Sequence, residues 1–158
     1  MTARAWTFYC VSLVAISGCG GGSAPTTPSP PQSFLAGTWT GTLTIEREGE
    51  PTTSGSVAWT FEVVADTNLQ TFRTTIRSQH SWLPITATVT SALTSSNTPP
   101  ARISTQGNYT SPRGCMGTLL SVGTADTSRI DADFSGVDCS NLAQSTFRGR
   151  VVLAKSGT

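Results

Sequence analysis

The sequence predicts an all-β domain built as an eight-stranded antiparallel up-and-down barrel, with a two-sheet β-sandwich as the alternative. Three observations predict it. Threonine and serine alternate with Val, Ile, Leu, Phe and Trp through most of the chain, which is the period of a strand with one buried face. The apolar runs are short, and turn residues separate eight of them. No stretch shows a convincing amphipathic helical period. A barrel is preferred to a sandwich because closure removes exposed strand edges.

Two segments precede the strands. Arg4 and the amino terminus are followed by an apolar stretch from Ala5 to Ile16, the order of a secretory signal. The stretch is short of the roughly 20 apolar residues that span a bilayer. Cys10 lies inside it and is discarded with it. Ile16-Ser17-Gly18-Cys19 then resembles the lipobox of bacterial lipoproteins. The resemblance implies a signal peptide over 1–18, cleavage after Gly18 and a thioether-linked lipid on Cys19. A further acyl chain such as palmitate is implied on the new amino terminus. It also implies an exported protein, lipid-anchored to the bacterial cell envelope, with the outer membrane as the expected location. Residues 19–33 are rich in Gly, Ser, Thr and Pro and have no apolar period, so they read as a flexible tether. About 15 such residues extend to roughly 45 Å.

Residues 34–158 suit one domain. Only 12% of the chain is charged and the formal net charge is +1, of which Arg4 leaves with the signal. Near neutrality gives no basic surface for nucleic acid and no acidic run for a polyvalent cation.

The first strand is expected over 37–46, with Trp39, Leu43 and Ile45 on one face and Thr38, Thr40, Thr42 and Thr44 on the other. Gly41 falls on the apolar face, where it permits close approach or strong coiling. The second strand is expected over 56–64, with Val57, Trp59, Phe61 and Val63 inward. Asp66-Thr67-Asn68 makes a turn, and the third strand follows over 69–77. The fourth covers 83–93, with Leu83, Ile85, Ala87, Val89 and Leu93 inward and Pro84 near its start. After a break at 97–100, a fifth and weak strand covers 101–106.

The last strands are expected to register through two cysteines. Cys115 and Cys139 would both meet an oxidising compartment, so they are expected to form a structural disulfide; the spacing of a redox pair is absent. Set opposite one another across a hairpin, they place Leu120 against Phe134 and Val122 against Ala132, with a turn at Asp126-Thr127-Ser128. In the final hairpin Asp133 opposite Arg148 and Asp131 opposite Arg150 pair charges outside, while Phe134 meets Phe147 inside. These four charged residues read as solvated strand charges.

Leu35-Ala36-Gly37-Thr38-Trp39-Thr40-Gly41 resembles the glycine-x-tryptophan opening of lipocalins and related calycin barrels. The resemblance implies a lipocalin-like barrel with Trp39 as the plug of one end. It also implies a basic residue near the end of the last strand packed over that ring. Arg148 and Arg150 are the candidates, but the register above turns both outward. The chain is also similar to small bacterial lipoproteins that share a Gly-x-Trp-x-Gly start and a late cysteine pair ahead of a final strand like Phe147–Leu153.

Little in the chain points to catalysis, and it is not expected to be an enzyme. His80 is the only histidine and sits in a polar connection, where a surface position is expected. One histidine and two bridged thiols argue against a transition-metal site, and no cofactor motif is present. Glu46, Glu48 and Glu50 flank an expected exposed loop. Asn108-Tyr109-Thr110 matches a glycosylation pattern by chance. Trp59, Phe61, Phe72, Phe134 and Phe147 are the candidate lining of a pocket for a small apolar or amphipathic ligand; the competing expectation is a filled core. Trp82, at a strand edge, is a candidate guard of a barrel mouth. Two functions therefore stand: a membrane-tethered ligand-binding barrel, or a structural or protein-interaction lipoprotein with no ligand. The expected partner is the membrane itself, with a small apolar ligand as the second candidate, no nucleic acid and no identified protein.

Overall fold

The computed structural model describes residues 32–65, 67–140 and 143–157. The expected signal segment, the expected lipidation site at Cys19 and nearly all of the expected tether lie outside them. Eight strands follow in order: β1 (Gly37–Glu46), β2 (Thr53–Val63), β3 (Thr71–Ser78), β4 (Thr86–Leu93), β5 (Ala101–Thr110), β6 (Met116–Ala125), β7 (Arg129–Ser140) and β8 (Ala143–Lys155). Each pairs antiparallel with the next, and β8 pairs back onto β1, so the sheet closes into a barrel. The fold is the up-and-down barrel that the alternating pattern predicts. One end, here the rim, carries the β1–β2, β3–β4 and β5–β6 connections and the β7–β8 hairpin. The other end, the base, carries the entry to β1 and the exit of β8.

The strand limits differ from the sequence reading at particular residues. β1 runs over the predicted span. Leu69 sits at φ 61° beside Asn68 at φ 50°, so both belong to the turn and β3 begins two residues later, at Thr71. Leu83–Ile85 belong to the β3–β4 connection rather than to β4. β5 continues to Thr110 because its inward positions Gly107 and Tyr109 keep the period of two without looking apolar.

The interior is a column of aromatic rings. Trp82 meets Phe147 at 5.4 Å between centroids, Phe147 meets Phe134 at 5.6 Å, and Phe134 meets Trp59 at 6.4 Å. Trp59 then meets Phe61, and Phe61 meets Phe72, both at 6.0 Å. These spacings are those of favourable tilted and edge-to-face pairs. The column therefore runs without a gap from the rim to the start of β3 at the base. Facing it, β3, β4 and β5 contribute small hydroxyls: Thr74 donates to Ser91 at 2.7 Å, and Ser91 bonds Thr105 at 2.6 Å. All three are buried, and their polarity is satisfied within the chain.

This crowding corrects the expected β6–β7 register. Leu120 lies opposite Ser135 and Val122 opposite Asp133, a slip of one residue from the predicted pairing with Phe134 and Ala132. A one-residue slip turns every side chain over. Leu120 and Val122 are accordingly 45% and 48% exposed, while Leu119, Ser121 and Ala125 face inward. Volume overrides hydrophobicity here. A Cβ on inward Gly117 would stand 2.3 Å from the Tyr109 ring, and one on Gly123 would stand 2.4 Å from Ala132 Cβ. Apart from Leu119, only the small residues of β6 fit beneath the aromatic core.

The cysteines mislead about this register for a geometric reason. The Cys115–Cys139 disulfide is present, but Cys115 precedes β6 and Cys139 pairs with Gln144 of β8. The bridge ties a connection to a strand end and is not a cross-strand pair.

The β7–β8 register is also corrected, by two residues. Asp133 faces Arg150, and Phe134 faces Gly149. A two-residue shift preserves both faces, so Arg148 and Arg150 point outward as expected. Arg150 reaches diagonally to Asp131, at 2.6 and 2.7 Å, rather than straight across to Asp133. A long side chain thus satisfies the charge pattern in more than one register.

Gly41 lies inward, as expected, where a Cβ would stand 2.0 Å from the Val152 carbonyl oxygen of β8. Its missing side chain lets β1 and β8 approach and close the barrel.

Candidate functional site

Side chains from four segments converge at the rim. His80, in the β3–β4 connection, is fully buried, contrary to the surface position expected for it. Room for it comes from Gly55 of β2, where a Cβ would stand 2.4 Å from His80 Cα. Its Nδ1 accepts the Trp82 amide N–H at 3.1 Å. An accepting Nδ1 carries no proton, so the neutral ring holds its hydrogen on Nε2, which donates to Thr53 Oγ1 at 3.1 Å. The His80 carbonyl accepts the Leu83 amide at 3.1 Å.

Trp82 caps the aromatic column, 9% exposed. Arg47 of the β1–β2 connection lies 4.5 Å from its ring centroid, and Arg113 of the β5–β6 connection lies 5.0 Å from it. Both are cation–π contacts. Arg113 also donates to the Trp82 carbonyl. Each arginine has a carboxylate partner: Arg47 meets Glu50 at 3.7 Å, and Arg113 meets Asp138 at 3.5 Å.

Asp138 is fully buried at the end of β7. It accepts the Tyr109 hydroxyl at 3.0 Å and the Cys139 amide at 2.5 Å. Burial and the neighbouring Asp138 charge push the Tyr109 hydroxyl above its ordinary value, so it remains a donor throughout the usable pH range. Cys115, Asp138 and Cys139 bring their ligand-type atoms within 4.8 Å of one another. The two sulfurs are joined in the disulfide and so are not free thiolates for a metal.

Beside this cap lies a groove of about 550 Å³ lined by Glu46, Arg47, Glu48, Glu50, Thr52, Thr146, Phe147 and Arg148. Glu46 pairs with Arg148 at 3.1 Å on the exposed wall. The three glutamates thus line a solvent-facing rim, with Glu46 and Glu50 engaged by arginines.

The five candidate ligand-lining residues are brought together. Trp59, Phe61, Phe72, Phe134 and Phe147 are each at most 4% exposed and are linked ring to ring, with Phe147 continuing the chain to Trp82. Trp59 Nε1 has no hydrogen-bond partner among the described residues. The grooves around Gln106 and Gly107 are lined mostly by exposed residues of β3 to β6; one also borders Phe72 and the other Gly136 of β7.

At the base, Trp39 is fully buried, and its Nε1 donates to the Leu35 carbonyl at 2.8 Å. The cation over its ring is Lys155, at 5.4 Å, neither of the two arginines considered from the sequence. Lys155 also donates to the Phe34 carbonyl at 2.6 Å. Lys155 ends β8, which is where a cation reaches back over the entry to β1.

Sequence reasoning missed Arg113, Asp138 and Lys155. Asp138 stands next to a cysteine, which is the one local hint of a buried polar position. The pairing of Arg113 with it depends on contacts 25 residues apart. No family model, no curated protein and no solved structure matches the chain.

Proposed function

We propose that the chain is an envelope lipoprotein, held on the outer membrane through lipid on Cys19, whose barrel is a solid body acting through its outer surface as a structural or protein-interaction module. The observation that carries the reading is the unbroken ring column from Trp82 to Phe72. A barrel of eight strands has an interior just wide enough for side chains or one small ligand, and here six aromatic rings occupy it. The outer wall supports the second half of the proposal. β6 exposes Met116, Leu120 and Val122 between outward Ser104, Gln106 and Asn108 of β5 and outward Asp131, Asp133 and Ser135 of β7. The lipobox-like Ile16-Ser17-Gly18-Cys19 supports the anchor, and the Gly-, Ser-, Thr- and Pro-rich composition of the residues after it is that of a linker.

A second reading is a barrel that binds a small apolar or amphipathic ligand. The unpartnered Trp59 indole N–H favours it, since a ligand acceptor would satisfy that group.

Native mass spectrometry of the full chain, extracted in mild detergent, separates the two. The expected spectrum is the processed polypeptide with covalent lipid and nothing else bound. A stoichiometric small molecule carried through extraction would sink the solid-core reading in favour of the second. For the anchor, Cys19→Ser is expected to leave the protein unprocessed and without lipid. A variant that is still cleaved after Gly18 and membrane-bound would refute the anchor.

A further inference from the structure

We propose that His80 is an acid-sensitive latch, and that protonating it releases the β3–β4 connection as a lid over the rim end of the aromatic column. The proposal is independent of which function the barrel serves. It rests on the geometry of one ring. His80 Nδ1 is the acceptor for the Trp82 amide, a bond within the connection that holds the turn carrying Trp82. Both ring nitrogens are engaged and the side chain is fully buried. A second proton would set N–H against N–H, remove the acceptor and place a cation in a site closed to water.

Among the described residues, no carboxylate pairs with the ring. The hydrogen-bond partners of the ring are Thr53 and the Trp82 amide, both uncharged. From β2, Gly55 packs against the His80 backbone. The charged groups of the cap are Arg47, Glu48 and Glu50 from the β1–β2 connection, Arg113 from the β5–β6 connection and Asp138 from β7. Arg47 and Arg113 already flank Trp82, two residues along the chain, so a further positive charge at His80 adds to the cap's positive charge. Glu50 and Asp138 are already engaged by those arginines, and Glu48 is exposed to solvent. The neutral ring is therefore the latching form. Closure belongs to higher pH and is lost on acidification. Release lifts Trp82 from Phe147 and uncovers an apolar surface at the rim, while the strand ladders remain intact.

Amide hydrogen exchange on the full chain, corrected for the intrinsic effect of pH, tests the latch. Between pH about 7.5 and about 4.5, protection at Trp82 and Leu83 is expected to fall about tenfold, while that of the β2 and β3 ladders holds. His80→Asn keeps a side-chain acceptor two residues before the Trp82 amide and removes the titrating ring, so its Trp82 protection is expected not to change with pH. Should that variant fail to fold, nitrogen chemical shifts of the wild-type ring give the same answer. They are expected to report the Nε2–H tautomer near pH 7.5, and ring protonation in step with the loss of Trp82 protection. Protection unchanged across the range, protonation without release, or a pH-dependent loss that persists in His80→Asn would each overturn the proposal.

Discussion

Trp59 holds an indole N–H in the middle of the barrel with no acceptor among the described residues, and 1% of its surface is exposed. Such a group sacrifices its hydration without a replacement bond. Its ring, by contrast, is the joint between Phe134 and Phe61, at 6.4 and 6.0 Å. The two contributions are separable by substitution. Trp59→Phe removes the orphan donor and keeps most of the packing, so its stability in urea denaturation is expected within about 1 kcal/mol of wild type. Trp59→Ala breaks the column and is expected to cost about 3–5 kcal/mol in the same assay. A large loss in the phenylalanine variant would mean that the N–H has a partner, such as a bound water or ligand. Trp39 is the contrast within one molecule, because its N–H has the Leu35 carbonyl at 2.8 Å and its ring has Lys155.

At the scale of an element, β6 shows how a strand chooses its inner face. Its alternate sets are Met116, Thr118, Leu120, Val122 and Thr124 on one side, and Gly117, Leu119, Ser121, Gly123 and Ala125 on the other. Hydrophobicity alone sends the first set inward, which is the register the sequence suggests. The second set faces inward because the interior is already filled by rings from β2, β3, β7 and β8. Gly117 and Gly123 leave no room for a Cβ, and the other inward residues apart from Leu119 are the small Ser121 and Ala125. Thermal or urea unfolding distinguishes the two registers. Leu120→Ser and Val122→Thr are expected within about 0.5 kcal/mol of wild type, as exposed positions are. Leu119→Ala is expected to cost about 2–5 kcal/mol. The reverse order would restore the register predicted from the sequence. In β7 and β8 the ambiguity is of another kind. A shift of two residues keeps all faces, and arginine is long enough to find Asp131 along a diagonal.

For the whole molecule, the closed sheet and the filled interior leave the outer wall to carry the charges, and their effect appears with pH. The Arg150 guanidinium, bonded twice to Asp131 and helped by Arg129, holds that carboxyl down to about 2. An unfolded chain restores the ordinary aspartate value near 4. The folded form thus binds this proton less readily. Its contribution to stability is complete above about pH 4 and is lost as pH falls toward about 2. Asp126 adds in the same direction, because the Ser128 amide and hydroxyl and the Arg129 amide bond its carboxylate in the β6–β7 turn. Urea midpoints measured from pH 5 to 2 are expected to fall, and to fall less steeply in Arg150→Gln. An identical slope in that variant would remove Arg150 as the cause. The pair sits on the exposed wall, where solvent screens it, so the effect at neutral pH is modest.

Strand number, the class of fold and the outward placement of Arg148 and Arg150 were legible in the sequence, because a period of two is a local property that any half-buried strand must carry. The same holds for the pairing of Cys115 with Cys139, the only cysteines beyond the lipobox-like segment. Register, the inner face of β6, the burial of His80 and the partners Arg113–Asp138 and Lys155–Trp39 were decided by the tertiary structure. Those features depend on which volumes remain once the other strands have filled the barrel, and on which distant residues closure brings together. Pattern along a chain reports which residues favour the inside; only the packed interior determines which of them fit.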